Sequence, residues 1–222
     1  MKNSIIVATI YLLTLLSCNP RTDNSSGVSS KYQETNYGEN LEAGRYLHVR
    51  GFKFYYETYG EGEPLLLIHG NEGSIHDFHR NIPYFSSTYK VIAADSRSQG
   101  KSTDNADSLS YEMMAEDFRV LLDSLQIDSC NIIGWSDGGI IGLLLAIYHP
   151  DKVKKLAISG ANLWADTSAL TPYFFNWIHT QIDSLSQLTQ TPETKNTFKL
   201  ISLMRDQPNI SLEQLNNIKC PT

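Results

Sequence analysis

The chain has 222 residues, 41% hydrophobic and 19% charged, with a formal net charge of −6. Those proportions suit one globular domain with a sizeable core and exclude a disordered chain. The acidic balance, with no lysine- or arginine-rich run longer than "DKVKK" at 151–155, argues against a nucleic-acid partner.

The first residues, "MKNSIIVATIYLLTLLSC", carry a cation at Lys2 and an apolar run from Ile5 to Leu16. That run is shorter than the ~20 residues a spanning helix needs, so residues 1–17 read as a secretory signal peptide. Leu15-Leu16-Ser17-Cys18 resembles the bacterial lipobox, which implies that Cys18 is lipidated and becomes the mature N-terminus. An ordinary secretory signal with an incidental cysteine is the alternative. On the first reading the protein is exported and held on a bacterial membrane by its lipid, on the periplasmic side or at the cell surface. Residues 18–43, rich in Ser, Asn, Thr and Gly with few apolar side chains, predict a flexible tether.

From residue 44 to 222 the pattern is that of an α/β domain. "RYLHVRG" and "FKFYYETYG" predict a hairpin turning at Gly51. "PLLLIHG" (64–70) and "VIAAD" (91–95) are short continuous apolar runs, as in strands buried on both faces, and "SCNIIGWS" and "KLAISGA" are of the same type. Helices are predicted near 77–87, at 110–125 with a stripe of Met113, Met114, Phe118, Leu121, Leu122 and Leu125, and at 138–148. Such alternation predicts a mostly parallel sheet with helices on both faces and ligands at the carboxyl ends of the strands. "TPYFFNWIHTQIDSLSQLTQ", "PETKNTFKLISLMRDQ" and "SLEQLNNI" predict three amphipathic helices, a lid over about 163–217. "KCPT" (219–222) predicts the opening of one more buried strand. Cys130 and Cys220 each begin a predicted strand and are expected to be buried free thiols.

The chemistry is concentrated in "NIIGWSDGGIIGLLLAIYHP" (131–150). Gly134-Trp135-Ser136-Asp137-Gly138 fits G-x-S-x-G, in which a serine sits on a strained strand-to-helix turn and the residues two positions away must lack bulk. Ser136 is therefore the candidate nucleophile. "HGNEGS" (69–74) follows a buried strand and can aim the N–H of Asn71 at a developing oxyanion, with the N–H of Asp137 as second donor. In "DSRSQGKS" (95–102), Asp95, Arg97 and Gly100 are expected to brace the loops without taking part in the chemistry.

With these motifs the chain resembles the α/β-hydrolase family from about residue 45 onward. The family pattern D-x-R-G-x-G-x-S stands here as "DSRSQGKS", with Ser98 in place of a glycine. "GWSDGG" followed by "HPDKVKKLAISGAN" looks most like the valacyclovirase-type serine hydrolases, which cleave amino-acid esters. That resemblance implies a substrate-binding role for Asp137, holding an α-ammonium. The alternative is an Asp137 that points away and complements the positive helix end. Epoxide hydrolases and haloalkane dehalogenases, also similar, use an aspartate where Ser136 stands.

In the family the catalytic acid and histidine follow the last two strands. The histidines here are His48, His69, His76, His79, His149 and His179. Only His76 and His79 come from a loop at the correct sheet edge, and no aspartate is evidently placed to orient them; Asp166 could serve only as a displaced acid. The expectation is an incomplete hydrolase domain, its acid and histidine absent from this chain and lying beyond Thr222. The function expected is hydrolysis of small esters or amides by a monomer that needs no cofactor. The alternative is a binding protein or pseudoenzyme that keeps the pocket. Neither a metal-ligand cluster nor a nucleotide-binding motif stands in the sequence.

Overall fold

A computed structural model describes residues 35–222; the signal stretch 1–17, Cys18 and the tether before residue 35 lie outside the described residues. Six strands form one sheet in the order β1-β2-β4-β3-β5-β6. β1 (Gly44–Val49) and β2 (Phe52–Tyr59) make the antiparallel hairpin. Its two-residue turn has φ of 48° at Arg50 and 84° at Gly51, the left-handed pair that a tight hairpin requires. β3 (Glu63–Ile68), β4 (Tyr89–Ala94), β5 (Cys130–Trp135) and β6 (Val153–Ser159) run parallel to their neighbours, and only β2 meets β4 antiparallel.

The continuous apolar runs of β3 and β4 are explained by burial on both faces. Leu66, Ile68, Ile92 and Ile132 join the larger core, while Leu65, Leu67, Val91 and Ala93 face the smaller one with Ile75, Phe78 and Ile82. The larger core is closed by α2 (Tyr111–Ser124), through Met114, Phe118, Leu121 and Leu122, and by α3 (Asp137–Tyr148). Apart from Tyr148, every residue of α3 is buried, as expected of a helix that is apolar all round.

The structure corrects several boundaries. The helix expected over 77–87 is a 3-10 turn, Ile75–Phe78, followed by a short α1, Asn81–Phe85. Pro83 has no N–H to donate to the carbonyl of residue 79, so one continuous helix cannot run through this stretch. Residues 37–40, expected to lie in the tether, are instead held against β2. Gly38 and Asn40 donate their N–H groups to the Glu57 carboxylate at 2.8 and 3.0 Å, and Tyr37 packs edge-on to Tyr59.

The lid consists of α4 (Pro172–Ser186) and α5 (Pro192–Asp206), each capped by a threonine directly before the proline. Ile178, Ile182, Leu185, Ile201 and Met204 zip the two helices together. The ends of the excursion are pinned where Trp164 bridges Asn209 and the Ile210 N–H donates to the Leu163 carbonyl at 2.7 Å. The third expected lid helix is only a 3-10 turn, Gln214–Asn217, and it packs against the main core through Leu215 and Ile218 rather than over the site. Its two asparagines compete with the backbone for hydrogen bonds and stop a longer helix. Beyond it, the Pro221 carbonyl accepts from Leu156 of β6 at 3.0 Å, without forming a strand. Both described cysteines are free thiols; Cys130 is buried, but Cys220 is only half-buried. No described helix is long and apolar enough to cross a membrane.

Candidate active site

Ser136 caps α3 with φ 52° and ψ −119°, a conformation that L side chains rarely adopt. Its N–H is held by the Ser159 carbonyl at 2.7 Å, while its own carbonyl accepts from Gly139 at 2.8 Å and Ile140 at 3.2 Å. The turn closes only because glycines flank it. A Cβ on Gly134 would stand 2.3 Å from the Gly138 carbonyl oxygen, and one on Gly138 would stand 2.0 Å from that of Ile68. Backbone strain of this kind is tolerated where packing over-determines it.

The turn carrying Asn71 lies against this elbow. A Cβ on Gly70 would be 3.2 Å from the Ser136 Cβ. Among the described residues no protein acceptor engages the Asn71 N–H, and the Asp137 N–H is one of the free donors at the start of α3. The Asn71 side chain donates to the Asp137 carboxylate at 2.8 Å and to the Leu200 carbonyl of α5 at 3.2 Å, and its own Oδ1 is buried without a partner.

Asp137 does not point away. It is only 4% exposed and lines a cavity of ≈ 350 Å³ together with Ser136. Burial pushes its carboxyl up to about 6, opposed by hydrogen bonding from Asn71 and Tyr111. The cavity has a polar floor of Asp137, Tyr111 and Gln207 and an apolar wall of Leu170, Phe174, Ile178 and Met204 from the lid. Sequence reasoning missed Tyr111 and Gln207. Tyr111 falls within the helix expected over 110–125 but outside its apolar stripe, and no local signal shows that its phenol faces Asp137 or that its N–H meets the Gln207 side chain at 3.0 Å.

The loop 95–102 is scaffolding. The Asp95 carboxylate accepts from Ile75 at 2.8 Å and from Lys101 at 2.7 Å, so it ties this loop to the one after β3; burial pushes its carboxyl up to about 6. Gly100, at φ 52°, leaves room for that carboxylate, since a Cβ would be 2.3 Å away. Arg97 forks onto Asp117 with two bonds of 2.7 Å, reaches Asp104 at 3.0 Å and lies 3.9 Å over the Phe52 ring. Ser98, where the family pattern has glycine, occupies left-handed backbone at φ 65°.

None of the six histidines bonds to Ser136. His69 is buried and wired into its loop: its Nε2 accepts from Ser96 at 2.9 Å and its Nδ1 meets the Gly70 carbonyl at 2.7 Å. Burial lowers its pKa. His76 and His79 stack on each other 4.9 Å apart on the surface, His149 pairs with Glu116 at 3.0 Å, and His179 packs on Phe175. Asp166 is exposed and caps its own turn through Ser168 at 2.8 Å, away from the cavity. Among the described residues there is no cluster that could hold a metal ion.

The sequence profile of the alpha/beta hydrolase fold matches residues 63–200, more than half of the chain. The chain belongs to the alpha/beta hydrolase fold family. Among its curated relatives, Epoxide hydrolase 4 of Mus musculus is 35% identical over 123 residues, covering 52% of this chain and 34% of that protein. The 2-hydroxymuconate semialdehyde hydrolase of Pseudomonas sp. is 32% identical over 124 residues, covering 54% and 44%. The matched stretch thus spans less than half the length of these relatives. In fold, this alpha/beta hydrolase is similar to an esterase from Exiguobacterium antarcticum, with a TM-score of 0.65 at 22% identity over 75% of each chain.

Proposed function

We propose that the protein is a serine hydrolase of small carboxylic esters or amides, with aminoacyl esters as the preferred class. The observation that carries this reading is Ser136, held at a strained elbow on the wall of a cavity, with the turn of Gly70 and Asn71 packed against it and the N–H groups of Asn71 and Asp137 unpaired. The Ser136 oxygen attacks the carbonyl carbon, and the charge that develops on the carbonyl oxygen is met by those two donors. The buried Asp137 carboxylate bears on the choice of substrate. A carboxylate about 6 Å from an oxyanion repels it by roughly 3 kcal/mol at an effective dielectric of about 20. A substrate ammonium seated between them reverses the sign, and the apolar lid wall accepts the rest of an amino-acid side chain.

Activation of Ser136 needs a general base within about 3 Å. A catalytically impaired binding protein is the second reading, favoured by the absence of any histidine bonded to Ser136 among the described residues. A fluorophosphonate probe separates the two. On the hydrolase reading the 222-residue chain is labelled slowly, Ser136→Ala abolishes the labelling, and appending the last third of a related hydrolase, with its acid and histidine, makes labelling and aminoacyl-ester turnover brisk. An extended protein that still neither labels nor turns over esters would establish the binding reading.

A further inference from the structure

The lid is fastened to the loops that follow β3 and β4 by polar contacts on one side of α5. The Asn196 side chain donates to the Ser98 carbonyl at 2.8 Å, Lys199 donates to the Ala106 carbonyl at 2.8 Å, and the Leu200 carbonyl accepts from Asn71 at 3.2 Å. Residues three and four apart share one face of a helix, so these three contacts act as a single seam. Leu200 and Leu203 bury themselves in the main core along the same seam. The first contact involves the serine at φ 65° that replaces the family glycine, and the last reaches the turn beside the nucleophile.

Asn71 is the point where the seam meets the chemistry. Both hydrogens of its amide are in use, one on Asp137 of the elbow helix and one on Leu200 of the lid, while its oxygen is buried with no partner. Exchanging the amide's oxygen and nitrogen would set that oxygen against the Asp137 carboxylate and the Leu200 carbonyl, two acceptors, so the orientation is fixed. The side chain is held only by its donor end. If α5 lifts, one of its two bonds is lost and only the bond to Asp137 is left to orient the side chain.

We propose that Asn71 is a positioning residue that couples the lid to the elbow: docking of α5 through the Leu200 carbonyl sets both the turn that presents the Asn71 N–H and the hydrogen bond that stabilises the ionised Asp137. The proposal rests on the serine-hydrolase reading only for the meaning of that N–H; the coupling itself stands on the geometry. Thermodynamic linkage makes it reciprocal: loosening the lid perturbs Asp137, and removing the Asn71 amide loosens the lid.

The experiment is hydrogen–deuterium exchange combined with carboxyl NMR titration on the 222-residue chain. Two uncharged lid variants are used so that no altered charge acts directly on Asp137. Asn196→Ala removes the bond to Ser98, and Leu203→Ala loosens α5 from the core. Both should speed exchange within α5 and, with it, at Gly70–Gly73 by about tenfold, and both should shift the Asp137 midpoint from about 6. Asn71→Ala should shift that midpoint as well, and adding Asn196→Ala to it should produce no further shift. Should Leu203→Ala fail to fold, Asn196→Ala carries the test with a smaller effect of the same sign. Faster exchange in α5 with residues 70–73 and the Asp137 titration unchanged would overturn the coupling. So would additive shifts in the double variant. No readout depends on turnover, so this outcome leaves the assignment of Ser136 untouched, just as failed probe labelling would leave the coupling standing.

Discussion

Gly138 rests on Ile68 so closely that a Cβ would stand 2.0 Å from the Ile68 carbonyl oxygen. The first turn of α3 therefore lies directly on the end of β3, and this contact joins the helix of the nucleophile to the strand leading into the Asn71 turn. Because the obstacle is backbone, it cannot move aside as a flexible side chain would. Gly138→Ala is expected to cost about 2–4 kcal/mol in chemical denaturation. A variant as stable as the parent would show that helix and strand are not in contact there.

Ser136→Gly tests the strain at the elbow. At φ 52° a glycine is at ease and a serine is not. The variant should gain roughly 1 kcal/mol of stability while losing all probe labelling. A loss of stability would mean that the serine side chain is itself a structural contact.

Asp137 and Asp95 set a pH dependence whose sign can be worked out. An unfolded aspartate titrates near 3.9, whereas in the fold each of these lies at about 6. Between those values the folded state holds the extra protons, so these groups make stability fall as pH rises from about 4 to 6, with no further change above that. For Asp137 the shift corresponds to roughly 3 kcal/mol. Asp137→Asn should thus gain on the parent by about that amount between pH 4 and 7 in paired denaturation curves. A constant difference would place Asp137 in a more polar setting than the fold shows.

The Arg97 fork tests whether its role is geometric. Lysine keeps the charge but cannot make both 2.7 Å bonds to Asp117 or lie flat over Phe52. Arg97→Lys should be destabilised, and Arg97→Met more so, by about 3–5 kcal/mol, because the buried carboxylates of Asp117 and Asp104 would be left with too few partners. Equal stability of the lysine variant and the parent would reduce the site to a simple charge contact.

Cys18 lies outside the described residues, and its lipidation remains our proposal from the lipobox-like sequence. An alkynyl fatty acid fed to expressing bacteria should label the protein, and Cys18→Ser should abolish the label and release the protein from membranes. An unlabelled parent, or labelling that survives the substitution, would remove the anchor.

The parts legible in the sequence are those written in neighbouring residues. β3 and β4 are apolar throughout because they are covered on both faces, α2 shows its stripe because one side meets the sheet, and the Ser136 turn announces itself because its glycines must stand two places away. The lid helices begin at Thr-Pro pairs, a signal contained in two adjacent residues. What the tertiary structure decided lies across long separations. Asn71 meets the Leu200 carbonyl 129 residues away, the Tyr111 phenol faces Asp137, Glu57 gathers the backbone of residues 38 and 40, and the last expected lid helix turns under α3 instead of over the cavity. Periodicity records which face of an element is apolar, but not which partner covers it or which polar group its loops will meet. A side chain such as that of Asn71 is equally suited to water or to a buried carboxylate until packing removes the water and leaves one arrangement in which its donors are paired.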